Sequence, residues 1–237
     1  MLVWPSPVKY KGCMLSLNPS WLLERLALLP PLLLSLVVHE YAHARTALGF
    51  GDPTARDAGR VTFNPLAHLD PIGTLCIFFS GFGWARPVPV NPQRLYPRPA
   101  AGIFVSLAGP LSNLFLAVIV GASLKLWASV GPRFEDSVYF LVRGYLSYWM
   151  AVNIALCAFN LIPLFPLDGH HIVRDLLPGS QADRFMQWQL RYGMFLLLAV
   201  MFGPRLLAIV TRGQIAVSPL GWFLSHVREA AMRLFGL

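Results

Sequence analysis

Hydrophobic residues in this chain run on for lengths that a soluble core does not require. Pro99 to Leu124 is 26 residues without a charge, and Gly144 to Leu167 is 24. At about 1.5 Å per residue, either run crosses a hydrocarbon core roughly 30 Å thick. They predict helices over about Ala101–Ala128 and Ser137–Leu161, joined by a short turn of mixed charge from Val130 to Asp136. An earlier helix is expected from Trp21 to Leu48, ending at Gly49 and Gly51, with Pro30 and Pro31 bending it on the way. A fourth span, interrupted by Arg205, covers about Tyr192–Val210. Ile215–Leu234 mixes His226, Arg228, Glu229 and Arg233 with apolar residues and reads as an amphipathic interfacial helix.

Residues 49–100 have another texture. Gly59–Asn64 alternates enough for a short strand. Pro71–Ala85 is apolar but only 15 residues long, so it is expected to enter and leave on one side or to lie in the interface. From Trp84 to Pro92 the prolines forbid helix and strip the backbone of donors, which leaves an extended element.

Composition agrees with the spans. The chain is 56% hydrophobic and 13% charged, where soluble domains are nearer a quarter charged. The net charge of +8 lies mostly in loops between apolar runs, which the positive-inside rule explains without nucleic acid. Eight arginines, from Arg45 to Arg184, fall on the face that receives residues 49–100 and 165–185, and that face is expected to be cytoplasmic. The localisation that follows is a multi-pass protein of the plasma or inner membrane. Cys13, Cys76 and Cys157 are odd in number and widely spaced, so they form neither a disulfide framework nor a cysteine zinc site.

Into the first apolar helix the sequence places His39-Glu40-Tyr41-Ala42-His43. Residues four apart lie about 40° from one another around a helix, so both imidazoles leave one face and can share a tetrahedral zinc ion. Glu40 stands beside the first imidazole, where it can act as general base toward water at that metal. Such groups inside an apolar span are costly unless they function there. Thr46 and Gly49 exclude the metzincin layout for a third ligand. Asp168 ends an uncharged run whose helix is broken by Pro163 and Pro166, and an acid there is expected to be functional. His68 reads as a structural hydrogen bonder, and His170 and His171 as loop residues at the water interface, with a metal contact as their alternative role.

Together, His39–His43, Ala108-Gly109-Pro110-Leu111-Ser112-Asn113 and the segment Asn160–Gly169 resemble the site-2 protease family of intramembrane zinc metalloproteases. The likeness extends through residues 51–55, 59–74 and 81–92 and is nearest the compact prokaryotic branch without PDZ or CBS domains. The resemblance implies one zinc ion per chain on His39, His43 and Asp168, with Glu40 activating water. It also puts Asn160 and Asn113 near the site, Asn160 as a donor to the developing oxyanion. Substrates would be transmembrane helices of other proteins, cut in the bilayer. Such a helix must unwind first, and the extended 84–92 segment, with Arg86, Val88 and Val90, can hold it by strand addition. Asn113 is grouped with these substrate-facing residues.

The expected fold is an all-α polytopic membrane protein with four to six embedded helices and a small β or extended element between the first two core helices. A single peptidase domain would occupy residues 1–237, with its core in 21–178 and accessory helices in 185–237. Two other functions use the same residues. A metal transporter would need a polar path across the membrane and leaves Glu40 unexplained. A catalytically idle membrane-binding relative leaves both Glu40 and Asp168 unexplained. Oligomeric state has no signature in the sequence.

Overall fold

A computed structural model of the chain describes residues 19–80, 83–131 and 136–211, with a few positions between 225 and 233. Its first element, α1, is Pro19–Gly49, and it continues through Pro30 and Pro31. The helix stops where Gly51 takes φ +94°, and the Asp52 N–H donates back to the Ala47 carbonyl at 2.9 Å. Glycine reaches that left-handed conformation without steric cost, which makes it a helix terminator.

Three short helices follow: α2 (Thr54–Asp57), α3 (Pro65–His68) and α4 (Pro71–Ser80). The strand expected over 59–64 does not form. Its polar side chains bond locally instead: Thr62 Oγ1 accepts from Asn64 N–H, and Asn64 Oδ1 accepts from Leu66 N–H to start α3. Such bonds compete with ladder formation. Among the described residues the only β pairing is one antiparallel bridge, Leu69 to Ala85. At ten residues α4 is too short to cross a membrane, and the chain comes back over it. Gly73 permits that return, because a Cβ there would collide with the Trp84 carbonyl.

The core is built around α5, Ala100–Val130, which packs against α1, α6 (Asp136–Asn160) and α7 (Asp168–Leu176). Ala101, Val105, Gly109, Asn113, Ala117 and Gly121 recur every fourth residue along α5, and all are buried. This stripe of small side chains lets neighbouring backbones come close, as in membrane helix packing. On other faces of α5, Phe104, Leu111, Phe115 and Leu126 are exposed, which suits contact with lipid. Helix α8 (Gly179–Trp188) passes through a π-helical turn, Gln189–Gly193, into α9 (Met194–Val210).

The described residues are mostly helical, as the all-α expectation has it, and of the expected small β element they show one bridge and no sheet. Helices α5, α6 and the α8–α9 run are long and apolar enough to cross a membrane. Helix α1 is as long as α5 but carries the histidines and Glu40. The expected fourth span, Tyr192–Val210, is observed as α9, Met194–Val210, and the helix that carries it reaches back to Gly179. Residues 1–18 and most of the expected interfacial helix at 215–234 lie outside the described residues.

Candidate metal centre

His39 and His43 lie on α1 against the small-residue stripe of α5, and both are buried. Gly109 leaves the space they fill, since a Cβ there would overlap both imidazoles. Each ring uses its Nδ1–H on a fixed acceptor: Asn113 Oδ1 at 2.6 Å for His39 and the Val105 carbonyl at 2.7 Å for His43. With Nδ1 donating, each Nε2 keeps a free lone pair, the tautomer a metal ligand needs.

The two Nε2 atoms stand 3.1 Å apart. Asp168 Oδ2 lies 3.1 Å from His39 Nε2 and 3.3 Å from His43 Nε2. A tetrahedron with metal–ligand bonds of about 2.0–2.1 Å has edges of about 3.3 Å, so this triangle matches one face of it. Asp168 Oδ2 is also buried without a hydrogen-bond partner. Three inward lone pairs repel one another unless a proton or a cation stands between them, and a metal ion at their centre would remove that cost. The donor set, two imidazoles and a carboxylate, is one that zinc accepts while keeping a position open.

Behind the ligands a buried amide network joins three helices. Asn113 Nδ2 donates to the Ser35 carbonyl and to Asn153 Oδ1, each at 3.1 Å. Asn153 in turn donates to the Trp149 carbonyl at 3.0 Å, and Trp149 Nε1 donates to Ser35 Oγ at 3.1 Å. Asn113 and Asn153 are both 0% exposed. Asn113, grouped with the substrate-facing residues in the sequence, is thus wholly buried with its Oδ1 against His39. Asn153 was not singled out from the sequence, although it lies two helical turns before Asn160 in the same uncharged run.

Glu40 projects beside the ligand face, and its Oε2 accepts from the Val88 N–H at 3.1 Å. Pro87 and Pro89 have no N–H, so Val88 supplies the single donor of that tripeptide. The segment around it is tied down on both sides. Arg60, buried, donates to the carbonyls of Ala67, Arg86 and Pro87. The Arg86 N–H donates to the His68 carbonyl at 2.7 Å, while His68 Nε2 is 2.8 Å from the Thr62 carbonyl. His68 is therefore part of this brace, the structural role expected for it. Further on, Asp52 Oδ2 accepts from the Asn91 N–H at 2.6 Å. Burial pushes the Asp52 carboxyl up, but the Thr54 hydroxyl, the Asn91 and Thr54 amides and Arg94 together hold it below its ordinary range. Its contribution to stability is full above the ordinary value of 3.8 and is lost as pH falls through the depressed one.

The remaining expected residues take other places. Asn160 donates to the Leu156 carbonyl of its own helix at 3.0 Å. Val90 packs on the core of Ala47, Leu95, Ala101 and Val105. Arg86 is exposed. His170 is buried, not a water-facing loop residue, and its Nδ1 lies 2.5 Å from the Leu167 carbonyl. His171 is half-buried against Arg174. Among the described residues, His39, His43 and Asp168 are the one cluster whose donor atoms could hold a metal ion.

Known proteins share this arrangement of sequence. The family model described as "Peptidase family M50" matches residues 128–201, which include Asp168. A protein of Bacillus subtilis (strain 168) named "Putative zinc metalloprotease YwhC" is 43% identical over 220 residues, 89% of this chain and 93% of the relative. A similarity of that length takes in both His39–His43 and Asp168. "Putative zinc metalloprotease Rip2" of Mycolicibacterium smegmatis (strain ATCC 700084 / mc(2)155) is 28% identical over 206 residues, 84% of this chain and 71% of the relative. The protein of the same name from Mycobacterium tuberculosis (strain ATCC 25618 / H37Rv) is 26% identical over 204 residues, again 84% of this chain and 71% of the relative. No solved structure matches the chain. On the similarity to the Bacillus subtilis relative, nearly end to end, the chain belongs to peptidase family M50, the site-2 protease family.

Proposed function

We propose that this protein is an intramembrane zinc endopeptidase that cleaves transmembrane segments of other membrane proteins. The observation that carries the reading is the triangle of buried, inward-facing donor atoms on His39, His43 and Asp168, set among helices of membrane length. These three side chains would hold one zinc ion. When bound, zinc supplies a Lewis acid that acidifies water and polarises the scissile carbonyl. Everything else is done by side chains of the chain itself. Glu40 takes the proton of the attacking water and hands it to the leaving amine. Asn113 and the Val105 carbonyl keep the two imidazoles in the tautomer that leaves each Nε2 free. Asn160, once turned from Leu156, donates to the oxyanion from the end of α6. A panel of single-span peptides in lipid vesicles tests the activity: cleavage is expected with zinc and is lost with a chelator. Zinc-independent cleavage, or none in any peptide, overturns the reading.

The substrate strand lies along residues 84–92, near Val88 and Val90 and beside Arg86. Support comes from the extended course of this segment and from the Val88 bond to Glu40, which brings it next to the ligand helix. Single cysteines at Val88 or Val90 are expected to form disulfides with cysteines around the cut site of a substrate. Trapping no better than at an exposed distant position such as Lys125 refutes the clamp. The same variants report orientation. The arginine asymmetry puts this segment on the cytoplasmic side, so an impermeant thiol reagent is expected to reach it from that side alone.

A further inference from the structure

Seven residues, 161–167, separate the end of α6 from Asp168, and their backbone donors can be counted. Pro163 and Pro166 have none. The N–H groups of Leu161, Ile162, Leu164 and Leu167 bond to carbonyls within α6 or the loop itself. The donor left over belongs to Phe165, and it goes to Gln189 Oε1 at 2.9 Å. The same amide closes the pair through Nε2, which donates to the Pro163 carbonyl at 2.7 Å. Among the described residues, the hydrogen bonds that tie this loop to anything beyond α6 and α7 run through Gln189.

The surroundings of Gln189 fit this use. It is 1% exposed, although it lies in the polar first half of the helical run Gly179–Ala208, among Asp183, Arg184, Gln187 and Arg191. A buried amide is costly unless its hydrogen bonds are made, and the two to the loop make them. Gln189 opens the π-helical turn, a local bulge that recurs at functional sites. At the other end of that turn, Gly193 lies against the pair, where a Cβ would come within 2.6 Å of Gln189 Oε1 and 3.0 Å of Phe165 Cβ. The helix is thus bulged and pared back so that one amide reaches the loop.

We propose that Gln189 is a positioning residue for the metal ligand Asp168, and that the α8–α9 run is thereby a working part of the metal site. The proposal rests on the zinc reading above. Phe165 is three residues from Asp168, so a shift of the loop displaces Oδ2 from its approach to both imidazoles. Polar groups that hold a ligand from behind typically account for about 10–100-fold in metal affinity.

The test uses the full chain in detergent, with zinc affinity read by competition against a chromophoric chelator. The visible spectrum of the cobalt(II)-loaded protein reports the ligand set. Gln189→Met removes both bonds at similar volume and is expected to weaken zinc binding about 10–100-fold and to change the cobalt spectrum. Gln189→Glu keeps an acceptor for Phe165 but loses the donor to Pro163, and should fall between. Should Gln189→Met not fold, Gln189→Glu carries the test alone. Leu197→Ala opens a cavity on the same helical run, at a site 5% exposed. It is expected to lower the unfolding temperature with zinc affinity unchanged, which a merely structural Gln189 would mimic. Wild-type affinity and spectrum in the Gln189 variants, or losses no larger than in Leu197→Ala, overturn the proposal. If the unaltered protein binds no zinc, or Asp168→Ala binds it equally well, the metal reading itself has failed.

Discussion

Glu40→Gln is expected to abolish measurable proteolysis while zinc stays bound. The substitution changes little except proton affinity. Glutamine has the length and planarity of glutamate, and its Oε1 can still accept the Val88 N–H that Oε2 accepts at 3.1 Å. The extended segment should therefore stay in place, and with it substrate affinity. What disappears is the group that takes a proton from water and returns it to the leaving amine, a contribution of roughly 10²–10⁴-fold in rate. The loss should fall on kcat, with KM, zinc content and unfolding temperature close to the unaltered protein. Turnover within about tenfold of the original would mean that proton transfer runs through another group, and the mechanism would have to be redrawn.

The parts of this molecule that were legible in the sequence are those governed by length, period and charge. The spans expected at Ala101–Ala128 and Ser137–Leu161 are observed as Ala100–Val130 and Asp136–Asn160. Long uncharged runs have few alternatives in a membrane protein. His39 and His43 were legible because a four-residue spacing has one meaning on a helix, and Asp168 because an acid closing an apolar run is rare. The buried stripe from Ala101 to Gly121 was in plain sight as small residues at every fourth position, yet it was not read.

What was not legible depends on partners far away in sequence. Asn113 announced itself as a polar group in a span, but nothing local says that its Oδ1 meets His39, 74 residues earlier. Val105 contributes through a backbone carbonyl, which no sequence pattern displays. Gln189 lies just before the expected start of the fourth span, in a stretch with Asp183, Arg184 and Arg191 that shows no apolar run. In the structure Arg184 and Arg191 are exposed and Gln189 faces the loop that carries Asp168. Residues 59–64 misled for the opposite reason: their alternation is real, but capping by Asn64 and Thr62 satisfies the backbone without a strand partner.

The second large effect is expected from Asp168→Ala, in metal content and in stability together. Asp168 Oδ2 approaches His39 Nε2 at 3.1 Å and His43 Nε2 at 3.3 Å, and it has no other partner. Deleting it leaves two imidazoles, one ligand short of the three protein groups that catalytic zinc needs. Purified Asp168→Ala should contain little zinc, and restoring proteolysis with added zinc should fail. Stability adds a second reading, independent of catalysis. A ligand present at about a thousand times its dissociation constant stabilises the folded state by about 4 kcal/mol. Chelation should therefore lower the unfolding temperature of the unaltered protein by several degrees and leave that of Asp168→Ala nearly where it was. Full zinc occupancy in the variant would transfer the third ligand to another side chain. His170 would be the first to examine, because its Nε2 is buried without a partner two residues along the same helix.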